Sequence, residues 1–447
     1  MTKIQRVTII AACALAALEA STQSASAQGA QIQYRSFSAS AAIGPPAEEF
    51  ATKLASVTTA ALGADGAVHF ARIAGLPPIP TAFGGDVVSA VAAGRAGGGF
   101  DAAYISGSDL NRAWGFVVNS GVPFGPTFDE FVGFLFGRSI DGGRATGVEL
   151  VQELLDLRGR GVVALPVVGS PEQLSGYFGK PLESVRGRRG IGLAGLCQEH
   201  WVLRYLPPAE NILGLACDDL VTAGKISRKN ITFIAAVPGG GSLVDAVRAG
   251  TLHGFEFATP LDDVSQLFGG AENPGTVGVR FVHGPGWQQQ FLITWMIINR
   301  AVWDSLGAGQ KAIASSTARD HVLSSYGDNL RRQGPALETI LGANKSDADP
   351  GNDMVLSRWT TRDQMRLRDA TIRFLNARIS DPALPAVDRA DYARLVEALR
   401  LYVRENVAYW GMRSVQTSLR FEDWSTRPGG CWSDACEPNR CEPGHRP

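Results

Sequence analysis

The alternation of apolar and polar positions gives the first outline of this chain. Ile32 to Phe37 alternates with a period of two and reads as a short strand. Pro45 and Pro46 open a helix in which Phe50, Leu54, Val57 and Ala61 recur on one face, and Gly63 ends it. Val68 to Ile73 reads as a second strand, the proline-rich Leu76 to Pro80 as a loop, and Asp86 to Ala93 as a second helix stopped by Gly94. Strand, helix, strand, helix is the order of an α/β layer built on a parallel sheet. From Gln310 onward the pattern turns helical. One amphipathic stretch reaches Leu341, a polar linker covers Asn344 to Asn352, and helical patterns follow over 361–379 and 388–407. The tail after Arg427, rich in Gly, Pro and Cys, has no period.

The chain echoes itself. Gly84-Gly85-x-Val87-Val88-x-Ala90-Val91-x-Ala93-Gly94 returns as Gly240-Gly241-x-Leu243-Val244-x-Ala246-Val247-x-Ala249-Gly250. Each copy is followed by Gly-Phe-acid, at Gly99-Phe100-Asp101 and Gly254-Phe255-Glu256. Small residues make a tight packing face, and the terminal glycine suits a left-handed cap. The echo predicts equivalent helices near Asp86 and Ser242 in two similar α/β lobes, each delivering an acidic side chain at a strand start toward a shared cleft. Clefts between lobes are where small ligands bind.

The termini and charge narrow the function classes. Lys3 and Arg6 precede an apolar run from Val7 to Leu18, and Ala25-Ser26-Ala27 offers a cleavage site, the layout of a signal peptide over 1–27. Ile10-Ala11-Ala12-Cys13 also resembles a lipobox, though the apolar run continues past the cysteine. Export to the periplasm is expected. A formal net charge of −1 with scattered basic residues argues against a nucleic-acid binder. Cys197 and Cys217, with Cys431, Cys436 and Cys441 crowded in the tail, fit an oxidising compartment. Two of the tail cysteines are expected to pair, or one of them to pair with Cys197 or Cys217.

No catalytic arrangement is legible: there is no G-x-S-x-G, no H-E-x-x-H and no Walker loop. His200, His253 and His283 read as surface or satisfied core groups. Three segments stand out instead. Glu256 lies between Phe255 and Phe257 on a short apolar strand read as Gly254 to Ala258, where a carboxylate needs a cation or a donor. Gln173 carries an amide beside Tyr177 and Phe178, and Pro285-Gly286-Trp287 turns an indole outward from a strand end.

These segments resemble the solute-binding proteins of TRAP transporters, in the DctP-type class and nearest its 2-oxo-acid-binding branch, from about residue 31 to 330. Ala102-Ala103-Tyr104 with Val122-Pro123-Phe124-Gly125 resembles the first-lobe strand and "VPFG" signature. Gln173 to Phe178 resembles Gln-x-x-Gly-Trp-Phe, with Tyr177 for Trp, and Phe255 to Asp263 resembles Glu-Trp-x-Gly-Pro, with Phe257 for Trp. Pro285-Gly286-Trp287 with Ile297-Ile298-Asn299-Arg300-x-x-Trp303 resembles "PGW…INK-x-x-W". The family's carboxylate-forking arginine falls here on Ile191 or Gly192, so either Arg189 reaches in from a shifted register or the carboxylate is recognised otherwise.

The resemblance implies a two-lobe α/β periplasmic binding protein fold with a hinge and long C-terminal helices. The expected division is 28–155 for the first lobe, 156–255 for the second, and 256–345 for segments crossing back plus a long helix. A helical extension over 346–427 and an irregular tail over 428–447 complete it. The implied function is capture of a small organic acid, a monocarboxylate or 2-oxo acid, for the TRAP membrane subunits, without catalysis. A sensor of the same fold and an exported enzyme are the alternatives. Gln173, Glu256, Phe257, Trp287, Tyr104, Tyr177 and Arg189 are the ligand-binding candidates. A bridging Na⁺ or Ca²⁺, held by Gln173, Glu256 and Phe257, would offset repulsion between Glu256 and an acidic ligand. A homodimer is compatible with the resemblance.

Overall fold

The computed structural model describes residues 29–36, 44–73, 86–138, 143–182, 190–234, 242–267, 279–284, 286–342 and 354–413. The leader, the two Gly-Gly helix entries, Arg189, the 344–352 linker and the three tail cysteines lie outside the described residues.

Among the described residues the strands are, in chain order, β1 (Ala30–Ser36), β2 (Val68–Arg72), β3 (Ala102–Ser106), β4 (Val162–Pro171), β5 (Gly176–Phe178), β6 (Trp201–Arg204), β7 (Ile231–Phe233), β8 (Gly254–Phe255), β9 (Phe281–Gly284), β10 (Phe291–Asn299) and β11 (Val355–Arg358). They form a five-stranded sheet in the order β2-β1-β3-β10-β4 and a six-stranded sheet in the order β11-β9-β5-β8-β6-β7. β1 earns its place by alternation: Ile32, Tyr34 and Ser36 are buried, while Gln31 and Gln33 are exposed. The first helix, Gly44–Leu62, buries Phe50 and Leu54 as the spacing predicts. Val57, expected on that face, is 38% exposed, and Thr58 is buried instead. Thr58 Oγ1 donates to the Leu54 carbonyl at 2.7 Å and accepts from the Val68 amide at 2.9 Å, tying the helix to the start of β2.

The two sheets repeat one topology. β1 lies between parallel partners β2 and β3, and β6 between parallel partners β7 and β8. Helix Gly44–Leu62 joins β1 to β2 as helix Ala209–Thr222 joins β6 to β7. Helix Val87–Ala93 leads into β3 as helix Leu243–Arg248 leads into β8, so the echoed helices occupy equivalent places. Their caps match too: Asp86 accepts from the Val88 and Ser89 amides, and Ser242 accepts from the Asp245 amide.

The hydrogen bonds set the register. Phe100 N donates to Ala90 O at 3.2 Å and Leu252 N to Ala246 O at 3.1 Å; Ile73 N donates to Tyr34 O and Ile234 N to Leu203 O, both at 2.9 Å. Asp101 therefore matches His253, and Glu256 matches Tyr104. The Gly-Phe-acid repeats are three residues out of register. Asp101 sits at the amino end of β3, accepting from Gln33 N at 3.1 Å and Arg95 Nε at 2.8 Å, whereas Glu256 lies beyond the carboxyl end of β8. The expectation of one acidic group per strand start is thus corrected. Period and composition place a helix well, but the loop after it differs in length between the copies.

The chain leaves the first sheet after Pro171, not near residue 155, because β4 pairs with β10 over its whole length. It returns between Gly284 and Phe291. Helix Ala308–Gly342 buries Ala314 and Ala318 in the first lobe's core and Ile340 in the second's. β11, which the sequence reading missed, adds a parallel strand to β9. Helix Thr361–Ile379 packs on helix Ala209–Thr222 of the second lobe, with Asp363 Oδ2 accepting from Leu193 N at 3.1 Å. Helix Ala386–Arg413 ties to the first lobe through Arg158–Asp391 at 2.7 Å and a bond from the Tyr402 hydroxyl to Glu130 O at 2.7 Å. Cys197 and Cys217 form a disulfide with each other, which removes the expectation that either pairs with the tail. No helix among the described residues is long and apolar enough to cross a membrane.

Candidate ligand site at the lobe junction

The carboxyl ends of parallel strands are where α/β sheets bind ligands, and in the second lobe those ends are crowded with polar groups. β8 stops at Phe255, so Glu256 begins a loop rather than continuing a strand, and Pro260 opens helix Pro260–Gln266 behind the N-cap Thr259. The Glu256 amide still donates to Arg204 O at 3.1 Å. Its carboxylate is buried, accepts from the Leu206 amide at 3.4 Å, and lies 3.7 Å from Arg204 Nη1. The same Nη1 donates to the Glu256 carbonyl at 2.8 Å. Burial pushes the Glu256 carboxyl up to about 7, with Arg204 pulling the other way. Arg204, which the sequence reading did not single out, is the cation that meets Glu256. The position expected to carry the family's arginine, Ile191, packs against the main core. The signal was a lone arginine in an otherwise apolar run, Trp201 to Leu206.

Gln173 stands on the first crossing between the sheets. Its amide nitrogen donates to the Gln289 carbonyl at 3.1 Å, and its side-chain Nε2 donates to the Phe257 carbonyl at 3.4 Å. Gly286 lets the second crossing pass this closely: a Cβ there would lie 2.1 Å from the Gln173 carbonyl oxygen. The Gln173 side chain is thus brought to the Phe257 carbonyl, next in the chain to Glu256, whose carboxylate faces Arg204 and Leu206. Gln288 Nε2 donates to the Leu174 carbonyl at 2.8 Å, and its buried Oε1 has no partner among the described residues.

The other candidates have different surroundings. Tyr177 stacks on Phe255 at 5.3 Å and donates its hydroxyl to Asp263 Oδ2 at 2.6 Å. Trp287 is buried and stacks on Phe124 of the first lobe at 6.0 Å, with its indole Nε1 unpartnered among the described residues. Phe124 holds φ at 60°, a left-handed value uncommon for an aromatic residue. Tyr104 is fully buried, and its hydroxyl is hydrogen-bonded to Thr294 within the first sheet. Of the histidines, His253 Nδ1 accepts from Val202 N at 3.0 Å, and burial pushes His283, stacked on Phe178, down to about 3.

Among the described residues no group of three His, Cys, Asp or Glu side chains could hold a metal. A hard cation has another donor set available: the Glu256 carboxylate, the Phe257 carbonyl and, with its amide turned over, the Gln173 oxygen. All three are oxygen donors of the kind Na⁺ and Ca²⁺ accept. The donor chemistry of these three groups suits such an ion.

No family model matches the sequence, and no curated protein matches it. Solved structures do. A TRAP transporter solute-binding protein from Bordetella bronchiseptica, with copurified calcium and picolinate, superposes with a TM-score of 0.60 at 14% identity, covering 86% of this chain and 94% of its own. The fold is that of the TRAP periplasmic solute-binding proteins. A second such structure, from Pseudoalteromonas atlantica with sodium and pyruvate, gives 0.59 at 15% identity, covering 86% and 97%. A third, from Colwellia psychrerythraea with calcium and pyruvate, gives 0.59 at 13% identity, covering 86% and 97%. The share of this chain that is covered exceeds residues 1–345, so the solute-binding fold takes in part of the C-terminal helices.

Proposed function

We propose that this protein is an extracytoplasmic solute-binding protein that captures a small organic acid for a TRAP-type secondary transporter. The observation that carries this reading is the meeting of Gln173, Glu256, the Phe257 carbonyl and Arg204 where the chain crosses between two sheets. Solved structures of this fold hold pyruvate with sodium and pyruvate with calcium. The charge balance supports an acid together with a cation. Arg204 offsets Glu256, so a ligand carboxylate entering the site adds an uncompensated negative charge, and Na⁺ or Ca²⁺ would supply the missing positive one. Gln173, Glu256 and the Phe257 carbonyl would hold that ion, and Trp287 and Phe257 would wall the cleft. Arg204 takes the role expected of Arg189, forking onto the carboxylate. The reading includes export, delivery to the membrane subunits of the transporter, and closure by hinge motion at the two crossings.

Native mass spectrometry of the purified protein tests this directly. A copurified organic acid, with calorimetric binding of pyruvate or a related acid in the presence of Ca²⁺, is the expected result. Catalytic turnover of the bound acid, or the absence of binding by any acid in a broad panel, would overturn it.

A further inference from the structure

The loop after β8 carries both the Glu256 carboxylate and the Phe257 carbonyl. Arg204 holds its first peptide and Leu174 N its Ala258 carbonyl, but the Phe257–Ala258 peptide N–H is held by Asp263. This fully buried residue, on the first turn of helix Pro260–Gln266, accepts from the Ala258 amide through Oδ1 at 3.1 Å. Through Oδ2 it accepts from the Tyr177 hydroxyl at 2.6 Å. The Ala258 amide belongs to the same planar peptide unit as the Phe257 carbonyl, and in a trans peptide the two point in opposite directions. Fixing the N–H on Asp263 therefore aims the carbonyl the other way, where Gln173 Nε2 meets it at 3.4 Å. Tyr177 is in turn held by cross-strand pairing with Phe255 and by ring stacking on it at 5.3 Å. A phenylalanine at 177 could keep the stack, but it would leave the second oxygen of Asp263 free to turn.

We propose that Tyr177 and Asp263 are positioning residues for the cation site, locking the Phe257–Ala258 peptide so that its carbonyl is presented beside Gln173 and Glu256. This rests on the reading that the cleft binds a cation through Gln173, Glu256 and Phe257. It changes the role of Tyr177 from ligand contact to orienting group acting through Asp263. Residues that orient a metal ligand without touching the ion are worth about 10- to 100-fold in affinity.

The experiment is calorimetric titration of the full exported chain with Ca²⁺ alone, with the melting temperature of each variant measured alongside. Tyr177→Phe is expected to weaken Ca²⁺ binding about 10- to 100-fold. Asp263→Asn, which keeps the size of the group and one acceptor oxygen, should give a smaller loss in the same direction and guards against misfolding of the first variant. Phe255→Leu removes the stacked ring but leaves the hydroxyl and carboxylate, so it should lower the melting temperature with Ca²⁺ affinity unchanged. Parental Ca²⁺ affinity in both Tyr177→Phe and Asp263→Asn would overturn the proposal. So would an equal loss in Phe255→Leu, since packing rather than the hydrogen bond would then set the site. If the parent binds pyruvate but neither Ca²⁺ nor Na⁺, the cation reading falls and this proposal with it, while acid capture stands.

Discussion

The first and second lobes use one strand order and place different chemistry at matching positions. Where the second lobe has Glu256, the first has Tyr104, its hydroxyl bonded to Thr294 in the same sheet. Where the second has Arg204 against Glu256, the first has Arg35, its guanidinium 4.4 Å above the Phe100 ring. At the opposite ends of the strands the assignment reverses. The first lobe has the buried Asp101 paired with Arg95 at 2.8 Å, and the second has His253, which burial, His200 and Lys180 push toward the neutral form. The first lobe has a buried charge at the amino end of β3, at the opposite end of the sheet from the crossings. The second has one at the carboxyl end, where ligands bind. One scaffold thus sets a charge pair at the carboxyl ends of one sheet's strands and a hydroxyl pair at the matching place in the other.

The strongest way to break this comparison is to exchange the matched arginines for an apolar residue. Arg204→Leu should reduce acid affinity on the order of 100-fold, because losing one partner of a close, buried charge pair costs about 2–5 kcal/mol. Arg35→Leu, its register mate, should change affinity by less than about twofold, within the ordinary range for a residue outside the site. Calorimetry with pyruvate and Ca²⁺ measures both, and equal losses would show that the lobes share the electrostatic work.

A second effect follows from Glu256, whose carboxyl is raised from 4.5 to about 7, chiefly by burial. The folded state holds this proton more tightly than the unfolded chain does. Its contribution to stability is therefore fully present below 4.5 and is lost as pH rises through about 7. Melting temperature of the ligand-free protein should fall across that interval. Ca²⁺ affinity should rise across it, by up to about tenfold per pH unit, since the ion displaces the proton. Glu256→Gln should flatten both profiles and weaken Ca²⁺ and acid binding together. A parental profile in that variant would assign the titration to another group.

The smallest effect sharpens the first-lobe side. Tyr104→Phe removes one buried hydrogen bond and should cost about 1 kcal/mol of stability, read by denaturant unfolding, with acid affinity unchanged. A tenfold loss of affinity would make Tyr104 part of the site.

The α/β order, the first two strands, the helix over 361–379 and the echoed helices are all legible in the chain, because each depends on contacts within a few turns. Ile32 and Tyr34 alternate with polar neighbours, and Asp86 and Ser242 cap the helices they precede. Gln173 and Glu256 were legible as polar groups set among aromatics. Arg204 was not, because a single arginine in an apolar strand has no period, and its partner lies 52 residues further on. The Gly-Phe-acid repeat misled for a related reason. Composition recurs, but the strand register that gives it meaning is fixed by hydrogen bonds to another strand. Val57 and Thr58 show the same limit within one helix, where only the start of β2 decides which is buried.

By itself, the sequence determined that this chain builds two similar α/β units followed by long helices, since amphipathic period, caps and repeats act locally. Tertiary structure alone decided which lobe carries the charge, that Arg204 meets Glu256, that Cys197 takes Cys217, and that Tyr177 reaches Asp263. Each of these is a pairing between segments far apart in the chain. Which groups become neighbours depends on how the sheets close, and burial then sets how much each charge or hydrogen bond is worth.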